Sequence, residues 1–207
     1  MAYFDNNATT PIGQNALQVY KSALANDWSN PSSPYRSASR VRAKLECARE
    51  ELALDLGVNK EELIFTSGAT EANNSIFAHV ASNGKKGGRC ILSPFEHPSI
   101  IEPARHWFQD RLAYMPADAS GRVDLDETEQ LLNTENISLV SLMAANNETG
   151  VIQPWNELAE LCSDKGIFFH CDATQWIGKL DSSAFSLCTS FSASAHKFSG
   201  PKGLGWL

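Results

Sequence analysis

The run Ile137-Ser138-Leu139-Val140-Ser141-Leu142-Met143-Ala144 carries no charge and nothing more polar than a serine hydroxyl. It has the length of a strand and offers water no polar face, so as a strand it must be covered on both sides. Shorter runs of the same kind flank it at residues 63–66, 89–92, 112–115, 167–171 and 187–192. Between them, apolar residues at helical spacing predict helices over 70–82, 98–109, 125–133 and 156–165. Apolar strands alternating with helices give a mainly parallel sheet with helices on both faces, so the fold class is α/β. Ligands of such sheets collect at the carboxyl ends of the strands.

Upstream, residues 3–4 read as a short strand, and Ile12, Ala16, Leu17, Tyr20 and Leu24 keep helical spacing. Residues 26–34 are too rich in turn formers for regular structure. Val41, Leu45, Ala48, Leu52 and Leu56 fit one long amphipathic helix, with Gly57 placed to cap its C-terminus. Asp124 and Glu127 read as a capping box for the helix over 125–133. Pro103 kinks the helix over 98–109 or delays its start beyond Pro98. The final run Gly203-Leu204-Gly205-Trp206-Leu207 reads as a strand just beginning, so the fold is expected to be incomplete at the C-terminus.

The 207 residues suffice for one large domain, alone or with an appendage. With 24 acidic against 17 basic residues the net charge is -7, which argues against a nucleic-acid surface. No apolar run approaches membrane-spanning length, and the N-terminus lacks the regions of a signal peptide, so a cytoplasmic protein without membrane contact is expected. The cysteines at 47, 90, 162, 171 and 188 are odd in number and contain no C-x-x-C pair, which favours reduced thiols packed as small core residues.

Chemistry-bearing residues gather where the predicted strands end. Thr66-Ser67-Gly68-Ala69-Thr70-Glu71 joins a strand to a helix through a small-residue turn whose backbone N–H groups favour an anion, with Thr70 adding a hydroxyl. His97, in Glu96-His97-Pro98, follows another strand and is placed to stack on an aromatic ligand or shuttle a proton. Asn146-Asn147-Glu148-Thr149-Gly150 brings side-chain amides, which serve either the backbone or a ligand oxygen. In His170-Cys171-Asp172-Ala173-Thr174-Gln175, neighbouring strand residues point to opposite faces, so the His-Cys-Asp trio does not converge on one ion and no metal is expected. Asp172, isolated at a buried strand end, calls for a cationic partner such as a protonated heteroaromatic nitrogen. Ser194-Ala195-His196-Lys197 places a lysine directly after an apolar run. Desolvated beside other cations, such an amine becomes a nucleophile toward carbonyls. An anion cradle, a stacking ring, an amide, a carboxylate and an amine are together what a phosphorylated pyridine aldehyde requires, which makes pyridoxal 5′-phosphate the expected cofactor.

These stretches, with Asp5-Asn6-Asn7-Ala8-Thr9-Thr10, Asn30-Pro31-Ser32-Ser33 and Asn147-Glu148-Thr149-Gly150-Val151, resemble the NifS/IscS-type cysteine desulfurases of the class V aminotransferase group. The resemblance covers essentially the whole chain and implies the large domain of a fold-type I pyridoxal-phosphate transferase over residues 1–207, without the rest of that domain and the small C-terminal domain. It implies that Lys197 forms the Schiff base with the cofactor and that Ala69, Thr70, Ser194 and His196 bind its phosphate. Asp172 pairs with the ring nitrogen, Gln175 and Asn147 meet the ring oxygen or substrate, and His97 stacks on the ring and assists proton transfer. The implied reaction converts L-cysteine to L-alanine and passes sulfur as a persulfide to an acceptor or an iron-sulfur scaffold protein, in a homodimer. The nucleophilic cysteine of the family lies in a segment with no counterpart here, so the 207 residues alone are not expected to release sulfur. Two departures are Tyr35 and Ala38, where the family has histidine and glycine. The competing readings are a class V enzyme with another substrate, such as a selenocysteine lyase or an aminotransferase, and a non-catalytic truncated paralogue that binds partners.

Overall fold

The computed structural model describes residues 2–134 and 136–207. Helices α1 (Gln14–Asn26) and α2 (Arg36–Leu56) come first. An alternation follows of β1 (Phe65–Thr66), α3 (Ala69–Asn83), β2 (Arg89–Leu92), α4 (Pro98–Phe108), β3 (Leu112–Tyr114), α5 (Leu125–Thr134), β4 (Ile137–Ser141), α6 (Trp155–Asp164), β5 (Phe168–Asp172), β6 (Ser190–Ser194) and β7 (Gly205–Trp206). One sheet forms in the order β1-β7-β6-β5-β4-β2-β3. Its members from β6 to β3 pair in parallel, whereas β7 runs antiparallel to both β6 and β1.

Both faces of the sheet are covered, as the apolar strands require. In β2, Cys90 and Leu92 pack with Ile76 and Phe77 of α3 and Ile100 of α4, while Ile91 between them packs with Leu158 and Cys162 of α6. Alternate side chains of a strand thus enter different cores. Helix α2 ends as its sequence dictates, with Gly57 left-handed at φ 69.

The differences from expectation lie at element ends. Residues 3–4 form no strand, and α1, though helical, buries none of its residues. Helix α4 starts at Pro98, where a missing N–H costs nothing, and carries Pro103 within it. Asp124 Oδ1 accepts from Glu127 N at 3.0 Å, the forward half of the expected box. Strand β4 stops at Ser141: beyond it Met143 N donates to the Glu96 carboxyl at 2.7 Å instead of to β2, while Leu142 N and Ala144 N still donate to His170 O and Asp172 O at 3.1 and 2.9 Å. Strand β6 begins three residues late. The apolar residues before it instead form a short 3-10 turn that buries Phe185 against Trp155, with stacked rings 4.3 Å apart.

Strand β7 lies between β1 and β6 only because residue 205 is a glycine. A Cβ there would sit 2.5 Å from both the Ala193 carbonyl oxygen and Gly68 Cα, backbone atoms that cannot swing away. Gly205→Ala is therefore expected to destabilise the protein by roughly 1–3 kcal/mol. It should also weaken inorganic phosphate binding, because Gly68 immediately precedes α3. Thermal unfolding and phosphate titration check both effects.

Candidate active site

Lys197 ends a 3-10 turn, Ala195–Lys197, that follows β6 directly. Its Nζ donates to the carbonyl oxygens of Asn7 at 2.6 Å and Ala8 at 3.0 Å. The N-terminal segment is fastened beside it, since Thr10 N and Thr10 Oγ1 each donate to His196 O at 2.8 Å. Burial lowers the basicity of the Lys197 amine, while Asp172 and then Asp5 raise it. Lys179 and His196 lie close enough to feel the Lys197 charge, as expected of a lysine set beside other cations, but desolvation is the largest cause that weakens its hold on the proton.

The anion cradle forms where α3 begins. The first N–H groups of a helix lack intrahelical acceptors, and here Ala69 N donates to Ser194 Oγ at 2.8 Å. The Ser194 hydroxyl hydrogen stays available, together with the N–H and hydroxyl of Thr70. His196 completes the cradle with Nδ1 3.1 Å from Thr9 Oγ1. Burial first, then Lys197 and Lys202, depress its tendency to protonate. An anion placed here would relieve that positive field.

Asp172 ends β5, largely buried, and accepts from Thr174 N at 3.0 Å and Asn73 Nδ2 at 3.1 Å. His97 caps α4. Its Nδ1 accepts from Ser99 N at 3.1 Å, and because a backbone N–H only donates, the neutral ring carries its hydrogen on Nε2. The Asn147 side chain lines the same cleft, while its carbonyl accepts from Asn7 Nδ2 at 3.1 Å. Gln175 also lines it, with its amide engaged by Asn7 O at 2.9 Å and Lys179 Nζ at 2.6 Å. All the expected site residues, Ala69, Thr70, His97, Asn147, Asp172, Gln175, Ser194, His196 and Lys197, border one cleft of about 690 Å³. None of the five cysteines lines it.

Sequence reasoning passed over several groups here. Asn7 was read only as part of a family motif, yet its carbonyl accepts from both Lys197 and Gln175. The Thr174 hydroxyl, also on the cleft wall, is buried without a protein partner. Asn73 occupies the apolar stripe of α3 between Ala69 and Phe77, and an amide at that position was the available signal.

Glu96, beside His97, is fully enclosed, and its Oε2 has no partner. Burial, reinforced by Asp172, pushes its carboxyl up to about 8, against the hydrogen bond from Met143 N. The folded protein therefore holds a proton that the unfolded chain releases near 4.5, and stability falls as pH rises between the two values. The slope is at most about 1.4 kcal/mol per pH unit. Glu96→Gln should flatten it and leave the variant more stable than the parent above pH ~8; urea unfolding across that range measures both.

The profile described as Aminotransferase class-V matches residues 2–207. The chain belongs to the class-V aminotransferase family. This class-V chain is 39% identical over 210 residues to the cysteine desulfurase IscS of Dictyoglomus turgidum, covering 99% of itself and 53% of that protein. It is 38% identical to the mitochondrial cysteine desulfurase of Drosophila melanogaster, covering 45% of it. Among solved structures, a NifS-like protein superposes with a TM-score of 0.93 at 39% identity, over 99% of this chain and 58% of that one. SspA in complex with cysteine gives 0.91 at 30%, over 100% and 60%. The chain thus spans about half the length of the curated relatives it matches.

Pyridoxal 5′-phosphate is the cofactor of the family, and this cleft fits it. The helix start with its free donors suits a phosphate, the Asp172 carboxylate a protonated ring nitrogen, and the unpartnered Thr174 hydroxyl a polar ligand atom. Among the described residues no three His, Cys, Asp or Glu side chains gather as metal ligands, and no helix is long and apolar enough to cross a membrane.

Proposed function

We propose that this chain is the cofactor-binding part of a cysteine desulfurase. The observation that carries the reading is the shared cleft of Lys197, Asp172, His97 and the α3 N-terminus, in a chain whose relatives are cysteine desulfurases. In the reaction the C–S bond of L-cysteine breaks. Sulfur passes to a thiolate to give a persulfide, and the carbon keeps the electron pair and takes the thiol proton to become alanine. Pyridoxal phosphate supplies the electron sink that weakens bonds at the substrate carbon. Asp172 keeps a positive charge on the ring nitrogen, Ser194, Thr70 and His196 hold the phosphate, and Ala69 N orients the Ser194 hydroxyl. Lys197, its amine made less basic by burial, attaches the cofactor and moves the proton at the substrate carbon. His97 would stack on the ring and has Nε2–H to offer a substrate, in the cleft that Asn147 and Gln175 also line.

The thiolate is assigned to a cysteine outside these residues. Cys90, Cys162 and Cys171 are buried, and burial raises each thiol above its usual range, Cys162 to about 12. All five cysteines are unpaired, which supports a reducing compartment such as the cytoplasm. A homodimer and a sulfur-accepting partner, among them an iron-sulfur scaffold, belong to the same reading. The test is incubation with L-cysteine and a thiol reductant of the chain extended to the full length of its relatives. Equal yields of alanine and sulfide support the proposal, and pyruvate formation or amino transfer to a keto acid without sulfide overturns it. Sulfide release by residues 1–207 alone would refute the placement of the nucleophile elsewhere.

A further inference from the structure

Asn73 has no solvent exposure, and all its hydrogen-bonding positions are filled by four different residues. Its Nδ2 donates to Asp172 Oδ2 at 3.1 Å and to Ser99 Oγ at 2.9 Å. Its Oδ1 accepts from Ser192 Oγ at 2.6 Å and faces His170 Nε2 at 2.9 Å. The amide cannot be reversed, because its oxygen would then confront the Asp172 carboxylate, acceptor against acceptor. With that direction set, Ser99 Oγ receives a hydrogen from Asn73 and directs its own toward His97 Nδ1, 2.8 Å away. His170 is held neutral, burial lowering it to about 4, and donates from Nε2 while Nδ1 meets Ser190 Oγ at 2.8 Å.

We infer that Asn73 is a positioning residue that aims Asp172 and, through Ser99, orients His97, so that the residue that would pair with the ring nitrogen and the one that would stack on the ring are both set by one buried amide. The cofactor part of this inference rests on the reading above; the link to His97 does not. A residue that merely filled the core would need no ordered set of donors and acceptors, and an aliphatic side chain would serve α3 better at that position. The charged and titratable groups facing Asp172 are Glu96 from the loop after β2, His170 and Cys171 on its own strand and Lys197 beyond β6. Glu96, Cys171 and Lys197 keep their own side-chain partners in the substitutions below, whereas Asn73→Ala also removes the acceptor facing His170 Nε2.

The test compares Asn73→Ala with Ser192→Ala, which removes a partner from the other side of the same amide. Two readouts are the pH midpoint of the bound cofactor's absorbance and the ring-nitrogen resonances of His97 in histidine-labelled protein, the latter recorded also without cofactor. Asn73→Ala is expected to shift the midpoint by about one pH unit, a tenfold change in the proton equilibrium, and to move the His97 resonances. Ser192→Ala should lower thermal stability and change neither readout. Equal changes in both variants, or none in Asn73→Ala, overturn the inference. If Asn73→Ala does not fold, Ser99→Ala decides: it should move the His97 resonances and leave the midpoint in place, and unmoved resonances reject the link. Loss of cysteine turnover does not enter either readout, so failure of the desulfurase reading is seen separately.

Discussion

Lys197→Ala is expected to leave a folded protein that no longer retains its cofactor through dialysis. The amine is only partly buried, and its partners, the Asn7 and Ala8 carbonyls, are close enough to solvent for water to replace it. The stability change should stay within about 0.5 kcal/mol, as for most sites without a buried network. Function responds very differently. In the proposed reaction the amine would be the nucleophile for the cofactor's aldehyde and the group that moves the substrate proton; losing the proton transfer alone would cost roughly 10²–10⁴-fold in rate. Borohydride treatment followed by mass measurement checks this directly. The parent should gain a stable cofactor adduct at Lys197 and the variant none, and an adduct of equal yield elsewhere would place the attachment on another residue.

Asp172→Ala is expected to damage both fold and function. The carboxylate accepts from Asn73 Nδ2 and Thr174 N in a place with 5% exposure. Removing it strands two donors, each costing roughly 1–3 kcal/mol when unsatisfied. Asp172→Asn separates the two effects, because it keeps an acceptor and the shape but removes the charge that, in the proposed reading, would hold a proton on the ring nitrogen. It should fold and take up the cofactor weakly, and in the chain extended to its relatives' full length it should lose most of the turnover. The same substitution removes the like charge that reinforces Glu96. The stability slope with pH should therefore end below about 8 in Asp172→Asn yet persist, since burial is the larger cause. Unfolding measured across pH distinguishes this from a simple loss of packing.

Much of this architecture was legible before any coordinates. The run at Ile137 has no polar face and so needed cover on both sides, and the cores on either side of β2 provide it. Gly57 closes α2 because only a left-handed residue ends that helix at low cost. Lys197 stands out in the sequence because a charged amine directly after an apolar strand requires a reason. These readings succeed because periodicity, turn chemistry and the cost of burying charge act over a few residues.

The remainder depends on partners far apart in the chain. That β7 lies antiparallel between β1 and β6, and does so through a glycine at 205, follows from backbone contacts across more than half the molecule. Glu96 looks like an ordinary exposed acid in the sequence, and only its enclosure beside Asp172 makes it a neutral one. Asn73 shows in the sequence as an amide in the apolar stripe of α3, but its role emerges only when residues 26 and 99 positions away face it. The sequence by itself determined the fold class, the order of elements and the residue types around the cleft, since each rests on local pattern. Only the tertiary structure decided which buried polar groups face one another, because a hydrogen bond's direction and a carboxyl's charge are set by the neighbours that exclude water from them.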